Sequence, residues 1–217
     1  AILTLKGQPT LSEEILTAIA ARLEDEDSDV RQEAILTLKG QLTLSEEILI
    51  AIAAQLEDEY CDVRQAAILT LKGQPTLSEE ILTAIAVRLE HEDSDVRRAA
   101  VDALKGQPTL SEEILIAIAA RLKDEDSYIR WAAVDALQGQ PTLSEEILTA
   151  IAARLKDEDS YIRWAAVDAL QGQPTLSEEI LTAIAARLKD EDSYIRWAAV
   201  MPIEFFLNPE PMCEIFI

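Results

Sequence analysis

Apolar residues recur in two short stretches with helical spacing. Leu11, Ile15, Leu16, Ile19, Ala20 and Leu23 fall three or four residues apart, so their side chains share one face of a predicted helix A. Thr10 and Glu13 have the spacing of a capping box, with Ser12 as a competing cap. After the acidic turn Glu24-Asp25-Glu26-Asp27, a second stripe of Val30, Ala34, Ile35 and Leu38 predicts helix B, capped by Asp27 or Ser28. Gly40 follows, where a left-handed residue is expected to close the helix. The unit is therefore helix, turn, helix, and a Gly-Gln-Pro linker.

This unit repeats. A period of 33 aligns residues 1–33 with 34–66, 67–99, 100–132, 133–165 and 166–198, and the last two copies are identical. Gly7, Gly40, Gly73, Gly106, Gly139 and Gly172 occupy one position, and a proline two residues later blocks continuation of the helix, except in the second copy, which has Leu42. No single copy of this size buries its apolar face alone, so the copies are expected to stack without a domain boundary inside 1–198. The predicted fold class is all-α, an α-solenoid of six helix-turn-helix repeats, followed by a non-repeat tail at 199–217. Residues 1–7 match only the second half of helix B, and the sequence Met201-Pro202-Ile203-Glu204-Phe205-Phe206-Leu207-Asn208-Pro209 abandons the pattern. Neither end supplies the polar outer face that caps such an array, so the tail is expected to fold back over the last repeat or to pair with another chain.

The string Leu-x-Asp-Glu-Asp-Ser-x-Val-Arg-x-x-Ala resembles the HEAT repeat, particularly the short HEAT-like units also found in bilin lyases. The resemblance covers 1–198 and rests on the acidic turn, the terminal glycine and the pairs Val30-Arg31, Val63-Arg64, Val96-Arg97, Ile129-Arg130, Ile162-Arg163 and Ile195-Arg196. The period is shorter than in the long HEAT class and the proline often found inside helix A of that class is absent, which favours a straight helix A. The near identity of the copies also resembles the repeat arrays of fungal NLR-like receptors of the NACHT type, although no nucleotide-binding portion is present.

Charge narrows the function. The 217 residues carry 41 Asp and Glu against 19 Lys and Arg, a formal net charge of -22. Such a field repels nucleic-acid phosphates and anionic headgroups, so neither nucleic acid nor membrane is an expected partner. No apolar run approaches the roughly 18 residues needed to span a bilayer, and no charged-then-apolar leader follows Ala1. Cys61 and Cys213 stand far apart without a repeated spacing, which argues for neither a disulfide framework nor a thiolate metal site, and for a reducing, cytoplasmic compartment.

Most differences among the copies fall at four positions. Asp29, Asp62 and Asp95 become Tyr128, Tyr161 and Tyr194; Gln32, Gln65 and Arg98 become Trp131, Trp164 and Trp197; Leu36 and Leu69 become Asp102, Asp135 and Asp168. These three positions share one side of helix B, roughly opposite Val30, Ala34 and Leu38. The fourth change, Glu24 to Lys123, Lys156 or Lys189, sits at the neighbouring turn. B helices line the concave surface of HEAT-like solenoids, so the resemblance implies that the aromatic and acidic residues form a ladder along an inner groove. Aromatic rings beside carboxylates suit a cationic partner, through ring-face attraction and charge-assisted hydrogen bonds. The candidate partner-binding residues are Arg98, Asp102, Tyr128, Trp131, Asp135, Tyr161, Trp164, Asp168, Tyr194 and Trp197. On this reading the chain is a protein-interaction scaffold whose groove takes a basic peptide or protein face. The alternative is that each Trp covers a seam between repeats and the array is a structural spacer or sensor in a larger receptor.

Catalytic and metal motifs fail on inspection. Asp25, Asp27 and Asp29 open like a calcium loop, but Val30 stands where the loop needs Gly and Leu36 where it needs a bidentate Glu. His91 is the single histidine, which excludes a His-rich di-iron centre and any Ser-His-Asp set. No cofactor is expected and the chain is read as a non-enzyme; a bilin-lyase-like activity would rest on fold resemblance alone. The repeated arginines, pointing toward the apolar side of helix B, are expected to form a structural ladder with acidic partners in their own or the next turn.

Overall fold

The computed structural model describes residues 11–41, 44–74 and 77–200. Gly7, Thr10, Leu42 and the tail from Met201 with Cys213 lie outside them, as does the expectation that the tail folds back or self-associates. Among the described residues there are twelve α-helices and no strand: α1 (Glu13–Ala20), α2 (Ser28–Lys39), α3 (Glu46–Ala54), α4 (Cys61–Lys72), α5 (Glu79–Val87), α6 (Ser94–Leu104), α7 (Glu112–Ala120), α8 (Ser127–Gln138), α9 (Glu145–Ala153), α10 (Ser160–Gln171), α11 (Glu178–Ala186) and α12 (Ser193–Val200). Odd numbers are A helices and even numbers B helices. The described residues divide into two compact units between Gln140 and Pro141. Within each unit A helices pack on A helices and B helices on B helices, giving two layers.

Each A helix begins at the first of two glutamates, whose charge complements the helix N-terminus. The expected Thr-Glu capping box does not form in the described repeats. Ser111 and Ser144 are the extended cap residues, and their carbonyls accept from the Leu115 and Leu148 N–H groups at 2.9 Å. That starts the helix two residues later than the box requires, so the glutamate stands at the first helical position instead of the third. The A helices end in a 3-10 turn, which drives Leu23, Leu56, Leu89, Leu122 and Leu155 into the core. Asp27 caps α2, its carboxylate accepting the Asp29 N–H at 2.9 Å, and Asp93, Asp126 and Asp159 cap α6, α8 and α10 in the same way.

The glycine position departs from expectation. Gly40, Gly73, Gly139 and Gly172 are right-handed, with φ near -70°. Among the described glycines only Gly106 is left-handed, at φ 88°, because α6 ends one residue early at Leu104 and Lys105 turns extended. In the other described repeats helix B runs on to the residue before the glycine, which stays right-handed as its last cap, so no reversal of handedness is needed. Gly106→Ala should therefore cost about 1 kcal/mol, whereas Gly139→Ala, with open space where its Cβ would stand, should be neutral or stabilising by about 0.5 kcal/mol in urea unfolding.

The apolar stripes pack largely as their spacing predicts. Ala34, Ile35 and Leu38 are fully buried, as are Ile52, Ile85 and Ile118 of successive A helices. The outermost repeats show what stacking contributes: Ile15 is 37% exposed where Ile81 is buried, and Leu181 and Leu188 are 53% and 45% exposed where Leu148 and Leu155 are buried. The same side chain is core or surface according to whether a neighbouring repeat covers it.

Two polar ladders hold the stack. Arg31 donates through Nε and an η nitrogen to both Asp58 carboxylate oxygens, at 2.6 and 3.0 Å, while its other η nitrogen clamps the Asp25 and Glu26 carbonyls of its own turn. Arg97 with Asp124 and Arg163 with Asp190 repeat this geometry. Burial pushes the Asp124 carboxyl up, but the Arg97 hydrogen bond and the Asp126 N–H outweigh it and hold the group below the usual carboxylate range; Asp58 and Asp190 behave alike. The second ladder uses the linker glutamine, which the pattern of apolar residues did not single out. The Gln41, Gln107, Gln140 and Gln173 side-chain oxygens accept the Leu11, Leu77, Leu110 and Leu143 N–H groups of the preceding linkers, at 3.0 to 3.4 Å.

One rung of the arginine ladder is altered. His91 stands where Asp58 and Asp124 stand in their repeats, so Arg64 reaches instead to Asp95, a carboxylate 48% exposed, through one bond of 3.1 Å. The His91 ring nitrogen Nδ1 takes over the local role of the missing carboxylate by accepting the Asp93 N–H at 3.0 Å. His91→Asp restores a two-bonded partner for Arg64 and should stabilise the chain by about 1 kcal/mol in thermal or urea unfolding. Unchanged stability would mean that the Asp95 contact already compensates.

Candidate functional site

The aspartate that precedes α8, α10 and α12 also fixes the first candidate residue. The Tyr128, Tyr161 and Tyr194 N–H groups donate to Asp126, Asp159 and Asp192 at 2.8 to 2.9 Å, which sets the tyrosine in the first turn. Trp follows one turn later and Asp one turn beyond that. In α8 Ile129, Ala133 and Leu137 are buried on the far side, and the Tyr-Trp-Asp stripe lies on the less buried side, with Tyr128 exposed and Trp131 and Asp135 half-buried.

In the first unit the structure brings five of the predicted residues together. Tyr128 and Trp131 stack at 5.7 Å between ring centroids, tilted by 52°. The Tyr128 hydroxyl donates to Asp102 of the preceding B helix at 3.2 Å, and the Arg98 guanidinium lies over the Tyr128 ring at 5.5 Å while pairing with Asp95 at 2.9 Å. Partial burial pushes the Tyr128 hydroxyl up, and the adjoining Asp102 charge pushes it the same way. A residue that sequence reasoning missed completes the cluster: the Lys105 ammonium sits over the Trp131 ring at 4.9 Å and forms an ion pair with Asp135. Its signal was present as a fifth varying position, where Lys39, Lys72 and Lys105 give way to Gln138 and Gln171. Beside this cluster a cleft of about 430 Å³ includes Arg64, Lys72 and Arg98 as well as Asp95 and Asp102, so its lining is of mixed charge.

The second unit is built differently. Tyr161 and Trp164 of α10 and Tyr194 and Trp197 of α12 line one cleft of about 620 Å³ with Ser160, Asp192 and Ile195. No Lys or Arg contributes to that lining. The two tyrosines are 75% exposed and the two tryptophans 37% and 44% exposed. Asp168, half-buried one turn beyond Trp164, is not among the cleft residues. Among the described residues no cluster of His, Cys, Asp or Glu could hold a metal ion, and no helix is long and apolar enough to cross a membrane.

A model of HEAT repeats matches residues 46–138 and 112–204, and a model of the HEAT repeat associated with sister chromatid cohesion matches residues 7–38. No curated protein sequence matches. Among solved structures, the archaeal HEAT-like repeats protein from Thermococcus onnurineus NA1 is similar, with 17% identity and a TM-score of 0.61 over 91% of this chain and 89% of that one. A designed armadillo repeat protein in complex with the peptide (KR)4 is similar with 14% identity and a TM-score of 0.60, over 87% of this chain and 97% of that one. An engineered protein matches with 18% identity and a TM-score of 0.57, over 88% and 95% of the two chains. At these identities the likeness is one of fold, an α-solenoid of stacked helix pairs.

Proposed function

The chain belongs to the HEAT-repeat family, and from that premise we propose that this repeat scaffold binds a basic peptide or basic protein segment on the outward face of its B helices. The observation that carries the reading is the cleft formed by Tyr161, Trp164, Tyr194 and Trp197, which presents aromatic faces and the Asp192 carboxylate without a basic lining residue. A cation over an aromatic face is worth about 0.5–1 kcal/mol at an exposed site, and more as the contact is desolvated. The net charge of -22 favours the encounter with a basic partner, so the association rate should fall with salt. The repeat protein of similar fold that holds the peptide (KR)4 supports the same choice of ligand.

A second reading draws on Trp131, which packs against Tyr128 and under Lys105 across the seam between α6 and α8. On that reading the aromatics are seam packing and the array is a spacer in a larger receptor. Anisotropy titration of a labelled alternating Lys-Arg peptide decides between them: micromolar binding that weakens in Trp164→Ala/Trp197→Ala supports recognition, and no binding by the parent chain supports the spacer.

A further inference from the structure

Lys105 does to Trp131 and Asp135 what the proposed partner would do elsewhere on the stripe. Its ammonium lies 4.9 Å from the indole centroid and is ion-paired to the carboxylate one turn further along α8. Arg98 treats the neighbouring ring likewise, 5.5 Å over Tyr128, with Asp95 as its carboxylate. Both cations come from the preceding B helix, α6, and its extended C-terminal residue. In the following two repeats the sequence changes at both places: Trp131 and Trp164 stand at the Arg98 position, and Gln138 and Gln171 at the Lys105 position. The pair of cations that meets Tyr128 and Trp131 is thus particular to the repeat that contains Arg98 and Lys105.

We infer that Lys105 is a resident ligand of the Trp131-Asp135 site, which closes that site to an external lysine. Lys105 is a specificity-determining residue. It satisfies this site internally, and in Lys105→Gln the Asp135 carboxylate and the Trp131 ring become available to a cation from outside. An internal cation competes at the effective concentration set by its tether, so an external lysine meets a site that is already filled. The inference rests on the binding reading above, and it specifies an aromatic site that a partner does not enter.

The test uses the full chain with its three indoles labelled with nitrogen-15, each N–H resonance assigned by Trp→Phe substitution. Titration with an eight-residue peptide of alternating Lys and Ala should move the Trp164 and Trp197 resonances in the parent protein and leave Trp131 in place. In Lys105→Gln the Trp131 resonance should move as well, with an apparent Kd at least about tenfold below that of the parent at the same resonance. Movement of Trp131 in the parent at the same peptide concentration as Trp164 would overturn the inference, because the site would already be open. Failure of Trp131 to respond in Lys105→Gln would also overturn it. Silence of Trp164 and Trp197 in the parent would instead defeat the binding reading, and the Trp131 response in Lys105→Gln would still decide whether Lys105 closes its site. Circular dichroism of Lys105→Gln should match the parent, since Lys105 lies at the end of α6 and partly in solvent.

Discussion

Arg97→Ala should lower the unfolding free energy by about 3–5 kcal/mol, read as a large drop in the urea midpoint of the helical signal. Arg97 donates to both Asp124 carboxylate oxygens, at 2.8 and 3.0 Å, and to the His91 and Glu92 carbonyls, at 3.0 and 2.8 Å. The Arg97 and Asp124 side chains are only 8% and 3% exposed, so truncation strands a carboxylate and two turn carbonyls where water does not easily replace the guanidinium. Asp124→Ala should cost a similar amount, and the double variant less than the two losses added, because the second deletion removes a group the first left unpaired. Arg22→Ala is the contrast: its pair with Asp25 is 3.6 Å long and its side chain 53% exposed, so the change should be within about 0.5 kcal/mol of neutral. Equal effects at Arg97 and Arg22 would show that the ladder is incidental to stability.

Trp164→Ala/Trp197→Ala should weaken binding of the Lys-Arg peptide by about thirtyfold or more while leaving helicity unchanged. Aromatic anchors in a desolvated cleft commonly cost about 2 kcal/mol or more each when truncated, and losses at neighbouring anchors do not add fully. Both rings are more than one-third exposed, so their removal opens no core cavity and the fold should persist. The loss should appear mainly in the dissociation rate, and raised salt should slow association of the parent and the variant alike, since the surrounding carboxylates remain. An unchanged peptide affinity would transfer the tryptophans to the seam-packing reading.

The sequence by itself determined the local structure. The spacing of Leu16, Ile19, Leu23, Ala34, Ile35 and Leu38 specifies two short helices with one apolar face each, and the acidic turn with its capping Asp27 separates them. The 33-residue period requires stacking, because neither face is covered within one copy. That Tyr128, Trp131 and Asp135 share one side of helix B was legible for the same reason, since a helix turns about 100° per residue whatever surrounds it. Local pattern was a poorer guide where two backbone arrangements cost nearly the same. Glycine permits a left-handed exit from helix B without requiring one, and the described linkers take it only at Gly106.

Contacts between residues about thirty positions apart were decided by the tertiary structure. Arg31 finds Asp58, Leu110 finds Gln140, and Lys105 finds Trp131 and Asp135, because stacking sets the end of one B helix beside the next. A long cation such as lysine reaches several neighbours, and nothing in its own segment selects among them. Packing therefore sets Lys105 of the preceding repeat over the Trp131 ring, a contact that the ladder read from the sequence did not include. The same packing assembled Tyr161, Trp164, Tyr194 and Trp197 into a single cleft, since rings on separate helices converge only when those helices are docked.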